Sequence, residues 1–302
     1  MRTLLATFIL TGILTLLGPI GSFAQTETEL NADIQAELKA LKVDAQSDSS
    51  KQYLLGLMYE NGLGVDPDIS QAVQWYQRAA KGGNGKAMFN LANMYQDGQG
   101  VTQDYAKAVQ FYEEASGQGV GEADYNLGVM YRNGEGVEED LQKAAIWFIR
   151  SAERGEKLAQ YELGIMNLHG IGIKVDYSKA AELFRLASDQ GHAGSQHDLG
   201  AMYANGTGVK QDFEKAAILY GLAAKQGFSE SQYNLAVAYG IGEGVSKDFV
   251  KGYAWMILAA YHDNELAREA ALKITPLLTE QQLLEANNFA IACLESNYLD
   301  CN

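Results

Sequence analysis

Proline is almost missing from this chain, with 3 in 302 residues against 32 glycines. Its tight turns must therefore be made by glycine, and scarce proline beside abundant Ala, Leu, Glu, Gln and Lys suits helices. Cysteine is scarcer still: Cys293 and Cys301 both lie near the end, and the rest of the chain has none. In an oxidising compartment the pair could close a small loop. The other reading is one buried thiol and one frayed tail, because a helix running through Cys293 would hold the sulfurs apart. Positive charge is short as well. Lys and Arg number 23 against 38 Asp and Glu, a net charge of −15. Such a balance repels phosphate backbones and excludes nucleic acid as a natural partner.

Charge is absent altogether from Thr3 to Thr26. Met1-Arg2 gives a short positive start, Leu4 to Leu17 is apolar, and Ser22-Phe23-Ala24 offers a small-x-small cleavage pattern. These features predict a signal peptide over residues 1–24, cut after Ala24, and a periplasmic or secreted protein with no stable membrane insertion. Loss of Arg2 would take the charge from −15 to −16. The rival reading is an uncleaved anchor, since the run is long enough to span a bilayer, and Gly18-Pro19 speaks against it.

Beyond residue 50 the chain repeats itself every 36 residues. Tyr53 to Val65 returns as Phe89 to Val101, and glycine pairs fall at Gly62/Gly64, Gly98/Gly100, Gly134/Gly136, Gly170/Gly172, Gly206/Gly208 and Gly242/Gly244. An aspartate follows each pair, at Asp68, Asp104, Asp140, Asp176, Asp212 and Asp248. Leu127, Met130 and Tyr131 share one face of a first helix, which the glycine closes in a left-handed conformation. The aspartate then caps a second helix, where Ala108, Tyr112 and Ala115 or Ala216, Tyr220 and Ala223 recur. One such pair cannot bury both its apolar faces, so the copies must stack.

The third copy carries Ala123, Leu127, Gly128, Tyr131, Gly134, Gly136, Val137, Asp140, Lys143, Ala144, Trp147, Phe148 and Ala152. This pattern resembles the Sel1-like repeat, a relative of the tetratricopeptide repeat, over residues 51–262. The resemblance implies an all-α fold: a right-handed α/α superhelical solenoid of about six helix pairs, with helical caps over residues 25–50 and 263–302. It also implies an adaptor or scaffold, as in bacterial envelope and host-interaction proteins. The fourth copy departs at Asn167, Leu168-His169 and Ile173, and the sixth at Gly252. A cysteine-rich branch of the family is linked to penicillin binding, and the cysteine-free repeats here weaken that association. In the C-terminal stretch, Glu265 to Ile274 reads as a helix broken by Pro276, and Thr279-Glu280-Gln281-Gln282 fits a capping box opening a last helix to about Leu294.

The patterns that could carry chemistry each fail on spacing. Ser195-Gln196-His197-Asp198 lists the residue types of a catalytic triad, but neighbours on a helix do not face one another. His169, His192, His197 and His262 show no paired zinc spacing, the glycine pairs lack a Gly-Lys-Ser/Thr ending, and no serine precedes a lysine by three. The loop aspartates lack the alternation of a calcium-binding hand. No metal, cofactor or catalytic residue is therefore expected. By analogy with the tetratricopeptide architecture, Tyr53, Phe89, Tyr125, Tyr161, His197 and Tyr233 form one row on a concave face, and Asn90, Asn126, Glu162, Asp198 and Asn234 a second. Such rows suit a protein or peptide partner, or a cell-wall glycan. The same rings also fit a role in packing between repeats. The expected function is a non-catalytic interaction scaffold, the alternative a peptidoglycan- or β-lactam-binding protein or weak hydrolase.

Overall fold

The computed structural model describes residues 36–299 and 301, residue 37 excepted, so the expected signal peptide and the first part of the expected N-terminal cap lie outside the described residues. All regular structure among the described residues is helical. The chain divides into two compact units at Glu139/Asp140, which cuts the third helix pair between its members.

The first unit opens with helical turns at 38–44, followed by α1 (Ser49–Asn61), α2 (Ile69–Lys81), α3 (Gly85–Asp97), α4 (Tyr105–Gly117) and α5 (Gly121–Asn133). The second contains α6 (Leu141–Glu153), α7 (Lys157–His169), α8 (Tyr177–Asp189), α9 (Ala193–Asn205), α10 (Phe213–Ala224), α11 (Ser229–Ile241), α12 (Phe249–Tyr261), α13 (Glu265–Ile274), a 3₁₀ turn (Thr275–Leu277) and α14 (Glu280–Glu295). Within each unit a helix touches chiefly those next to it in sequence, and α14 folds back on α12. That neighbour-only pattern is what a stacked repeat produces.

The local causes are visible at each joint. Gly134 closes α5 at φ 72° with its N–H on the Met130 carbonyl. Gly136 follows at φ 73°, and a Cβ there would lie 2.5 Å from the Tyr105 carbonyl oxygen, so the second glycine admits the start of the preceding pair's second helix. Asp104 caps α4 by accepting the Lys107 N–H at 3.0 Å, and Lys107 Nζ returns to its carboxylate at 3.3 Å. The Lys107 N–H first, and then its ammonium, hold the Asp104 carboxyl below its ordinary range. Asp68, Asp140, Asp176, Asp212 and Asp248 cap their helices likewise.

The second helices of the first five pairs each bury one aromatic ring in the same slot, Tyr76, Tyr112, Phe148, Phe184 and Tyr220, and the sixth has Met256 there with Trp255 buried beside it. Where the first helix carries glycine, the ring takes the vacated space; a Cβ on Gly164 would sit 2.5 Å from the Phe184 ring. Alanines on both sides (Ala108, Ala115, Ala180, Ala187) are fully covered, letting the backbones approach. At the C-terminal end Thr279 and Gln282 form a reciprocal capping box on α14. Past Glu295 the chain turns through Asn297 and Tyr298, both at positive φ, and Cys293 is bonded to Cys301 across a Cα–Cα distance of 5.0 Å.

Candidate interaction surface

The nine partner-facing residues expected from the sequence, namely Tyr53, Phe89, Asn90, Tyr125, Asn126, Tyr161, His197, Tyr233 and Asn234, are all half-buried. Each ring of the aromatic row whose neighbour is seen leans on the buried ring of its own pair's second helix. Tyr53 lies 5.7 Å from Tyr76, Phe89 5.8 Å from Tyr112, Tyr161 5.8 Å from Phe184, and His197 5.7 Å from Tyr220. Each ring is therefore part of the packing and only half-covered by it, and His197 also meets Phe228, with centroids 5.1 Å apart.

The second row is tied to buried hydroxyls. Asn90 is hydrogen-bonded to Tyr53 and Tyr76, Asn126 to Tyr112, and Asn234 to Tyr220. Tyr76 also donates to Glu60 at 2.5 Å, and burial with that carboxylate beside it pushes its phenol up. Sequence reasoning passed over this ladder. Its signature is a Tyr on the second helix followed fourteen residues later by Asn. Where the second helix has Phe148 or Phe184, the same slot holds an acid, Glu162 or Asp198.

Asp198 is the electrostatic exception. The Tyr161 hydroxyl is its hydrogen-bond partner, yet burial outweighs that bond and raises its carboxyl to about 6. Tyr161 is pushed up to about 12, by burial first and then by the nearby Asp198 charge. Beside it, His192 lies 4.5 Å from the Tyr161 ring and is held below its ordinary value by burial and then by Lys157.

The triad-like cluster is taken apart by the fold. Ser195 is fully covered and bonded to His192 Nδ1 at 3.0 Å, whose ring also caps α9 by accepting the Ser195 N–H. His197 Nδ1 meets the Oγ of Ser231, itself fully buried, at 2.8 Å, and Asp198 turns to Tyr161. Two serine–histidine pairs result, neither with a serine that a substrate can reach. No group of three or more His, Cys, Asp or Glu placed to hold a metal ion is found among the described residues, and no described helix is long and apolar enough to cross a membrane.

In the first unit the open faces form a groove. A cavity of about 910 Å³ runs past the N-terminal ends of α1, α3 and α5. Tyr53 and Phe89 supply its aromatic surface, Asn84, Asn90 and Gln118 its amides, and Lys86 and Glu122 one charge of each sign.

A stacked array of glycine-closed, aspartate-capped helix pairs defines the class of helical-repeat proteins. Six copies of the Sel1 repeat match residues 52–84, 85–120, 121–156, 157–192, 193–228 and 229–264, and the chain belongs to the Sel1 repeat family. Among solved structures it is similar to a protective antigen of uropathogenic Escherichia coli strains that displays an SLR fold. The identity is 33%, the TM-score 0.77, and the match covers 86% of this chain and 56% of that one. The chain thus spans little more than half the length of that relative. It is also similar to a Sel1 repeat protein from Oxalobacter formigenes, at 30% identity and TM-score 0.64, covering 80% of this chain and 97% of the other. No curated protein matches it. Sel1-repeat proteins generally serve as protein-interaction scaffolds.

Proposed function

We propose that the chain is a non-catalytic scaffold of the bacterial envelope or cell exterior, holding a protein partner against the open face of its first helices. The groove of the first unit carries this reading. It is large enough for several residues of an extended chain, and it sets two half-buried rings beside three amide side chains. Pre-ordered rings lose little rotamer freedom on binding, and amides give direction. The uncharged N-terminal run, read as a cleavable leader, supports the location.

The test fills the groove without touching the core. Lys86 and Glu122 are both exposed, so Lys86→Trp with Glu122→Trp should leave the helical signal and melting temperature as they are while lowering capture of partners from envelope extract. Gln110→Trp with Gln142→Trp, exposed on second helices, is the control. A groove-filled protein that captures the same set as the control would refute the reading. Truncating Tyr125 and Tyr161 to Ala together then measures how much of the row is packing, since each ring is half-buried.

A further inference from the structure

The residue just before each first helix occupies one repeat slot, and in two copies of the second unit that slot holds a ring. His192 lies 4.5 Å from the Tyr161 ring, and Phe228 lies 5.1 Å from the His197 ring, centroid to centroid. Each of those row rings therefore has a second ring of the chain itself resting on it. In the first unit the same slot holds Asn84 after Tyr53 and Val120 after Phe89, both with smaller side chains. The groove of about 910 Å³ is lined by these four residues.

Helix capping does not account for the difference. Asn84 accepts the Ala87 N–H at 3.0 Å and His192 the Ser195 N–H at 3.1 Å, so either residue type can open a first helix. Val120 and Phe228 make no such bond, and both forgo the stabilisation that a capping side chain supplies. What the four residues change is how far the chain covers its own row of rings. A ring in the slot rests on its neighbour; an amide or a valine leaves space where that ring would sit.

We infer that the groove of the first unit seats aromatic side chains of an extended partner segment on Tyr53 and Phe89, in the places that His192 and Phe228 fill in the second. The inference rests on the reading of this groove as the partner site, and it makes Asn84 and Val120 the residues that set specificity. Ring pairs favour tilted or offset contacts at centroid distances of about 4.5–7 Å, and both filled positions lie in that range. Lys86 and Glu122 bring one charge of each sign to the groove, which gives no advantage to a segment of net charge.

The test pans a phage-displayed library of random peptides against the full chain and counter-selects on Asn84→His with Val120→Phe. Both replacements are residues that the same slot carries elsewhere in the chain, and far-ultraviolet dichroism with a melting temperature checks that the variant folds. Lys86→Trp with Glu122→Trp serves as a second groove-filled protein. Peptides kept by the parent and lost by the variants should be enriched in Phe, Tyr or Trp. By calorimetry they should bind the variants about tenfold more weakly, and lose about fivefold when cyclohexylalanine replaces the ring residue. Groove-dependent peptides without that enrichment, or rings that cyclohexylalanine replaces at no loss, would overturn the inference and leave the partner groove standing. Selected peptides that all bind both groove-filled proteins as well as the parent would overturn the groove and the inference together.

Discussion

Replacing Asp198 by Asn should stabilise the protein at neutral pH and leave it nearly unchanged in acid. The carboxyl titrates at about 6 in the fold against an ordinary 3.8, and burial is the first cause. A folded value above the unfolded one means that the fold favours the protonated form. Below pH 3.8 both states hold the proton and nothing is lost; as pH rises from there to about 6, the fold must accept a charge that the unfolded chain carries freely. The gap of 2.2 corresponds to about 3 kcal/mol at most, and because Asp198 is only partly screened from water, about 1–2 kcal/mol is the expected gain at pH 7. The groups facing it are Tyr161, the imidazole of His169 and the Tyr220 hydroxyl.

Asn is the residue the repeat itself uses in that slot, at Asn90, Asn126 and Asn234, each bonded to a tyrosine hydroxyl. The Tyr161 hydroxyl, which now faces the Asp198 carboxylate, should donate to the new amide oxygen. The assay is urea unfolding of both proteins at half-unit steps from pH 4 to pH 8, followed by far-ultraviolet dichroism. The stability difference should open between pH 4 and 6 and then stay level. A variant less stable than the parent at pH 7, or a difference independent of pH, would refute the reasoning.

Two further outcomes follow from the turns. Gly136→Val should cost about 2–4 kcal/mol, since φ 73° strains a β-branched residue and its Cβ would meet the Tyr105 carbonyl at 2.5 Å, whereas exposed Glu138→Val should cost almost nothing; equal melting temperatures would show that the close approach is not there. Asp104→Ala should lower the melting temperature by about 3 °C at pH 7, because the cap on the Lys107 N–H is lost. Asp104 sits below its ordinary range in the fold, so its contribution is present above that range and fades as pH falls through the lowered value; the two melting temperatures should converge in acid.

The helix pairs were legible because their signals are local. A glycine that ends a helix, an aspartate that starts the next and apolar residues at helical spacing all act within a few residues of one another, and they agree in every copy. The capping box at Thr279 and the break at Pro276 were readable for the same reason. The site was less so. Whether Tyr53 or Tyr161 faces a groove or a core depends on the rotation of the first helix against the second, which a period of 36 leaves undetermined. In the structure both rings are half-buried, Tyr53 resting on Tyr76 and Tyr161 on Phe184. The Cys293–Cys301 bond was equally open in the sequence, because it depends on a turn with Asn297 and Tyr298 at positive φ, a conformation those residue types do not announce.

The hydroxyl ladder shows how the copies differ while the fold stays the same. Tyr76 gives its O–H to Glu60 and Tyr112 to Asn93 or Gln96 of its own pair, and Tyr76, Tyr112 and Tyr220 each accept an amide N–H from an asparagine of the next pair, which brings no charge into the interface. Phe148 and Phe184 remove that acceptor, and the slots opposite become Glu162 and Asp198. Packing alone does not call for this exchange, since an amide at 198 could accept from Tyr161 just as the carboxylate does. A carboxylate there makes the fold less stable at neutral pH, and it places negative charge on the first-helix face of α7 and α9 where α3, α5 and α11 are neutral at the same slot. If partners read the face of the first helices, these two copies present them with a different surface, one whose charge at Asp198 switches on as pH rises through about 6. The Asp198→Asn protein separates the two roles. A gain in stability without a change in capture would confine Asp198 to a cost of the packing, and a gain accompanied by lost capture at pH 7, but not at pH 5, would make the charge part of recognition.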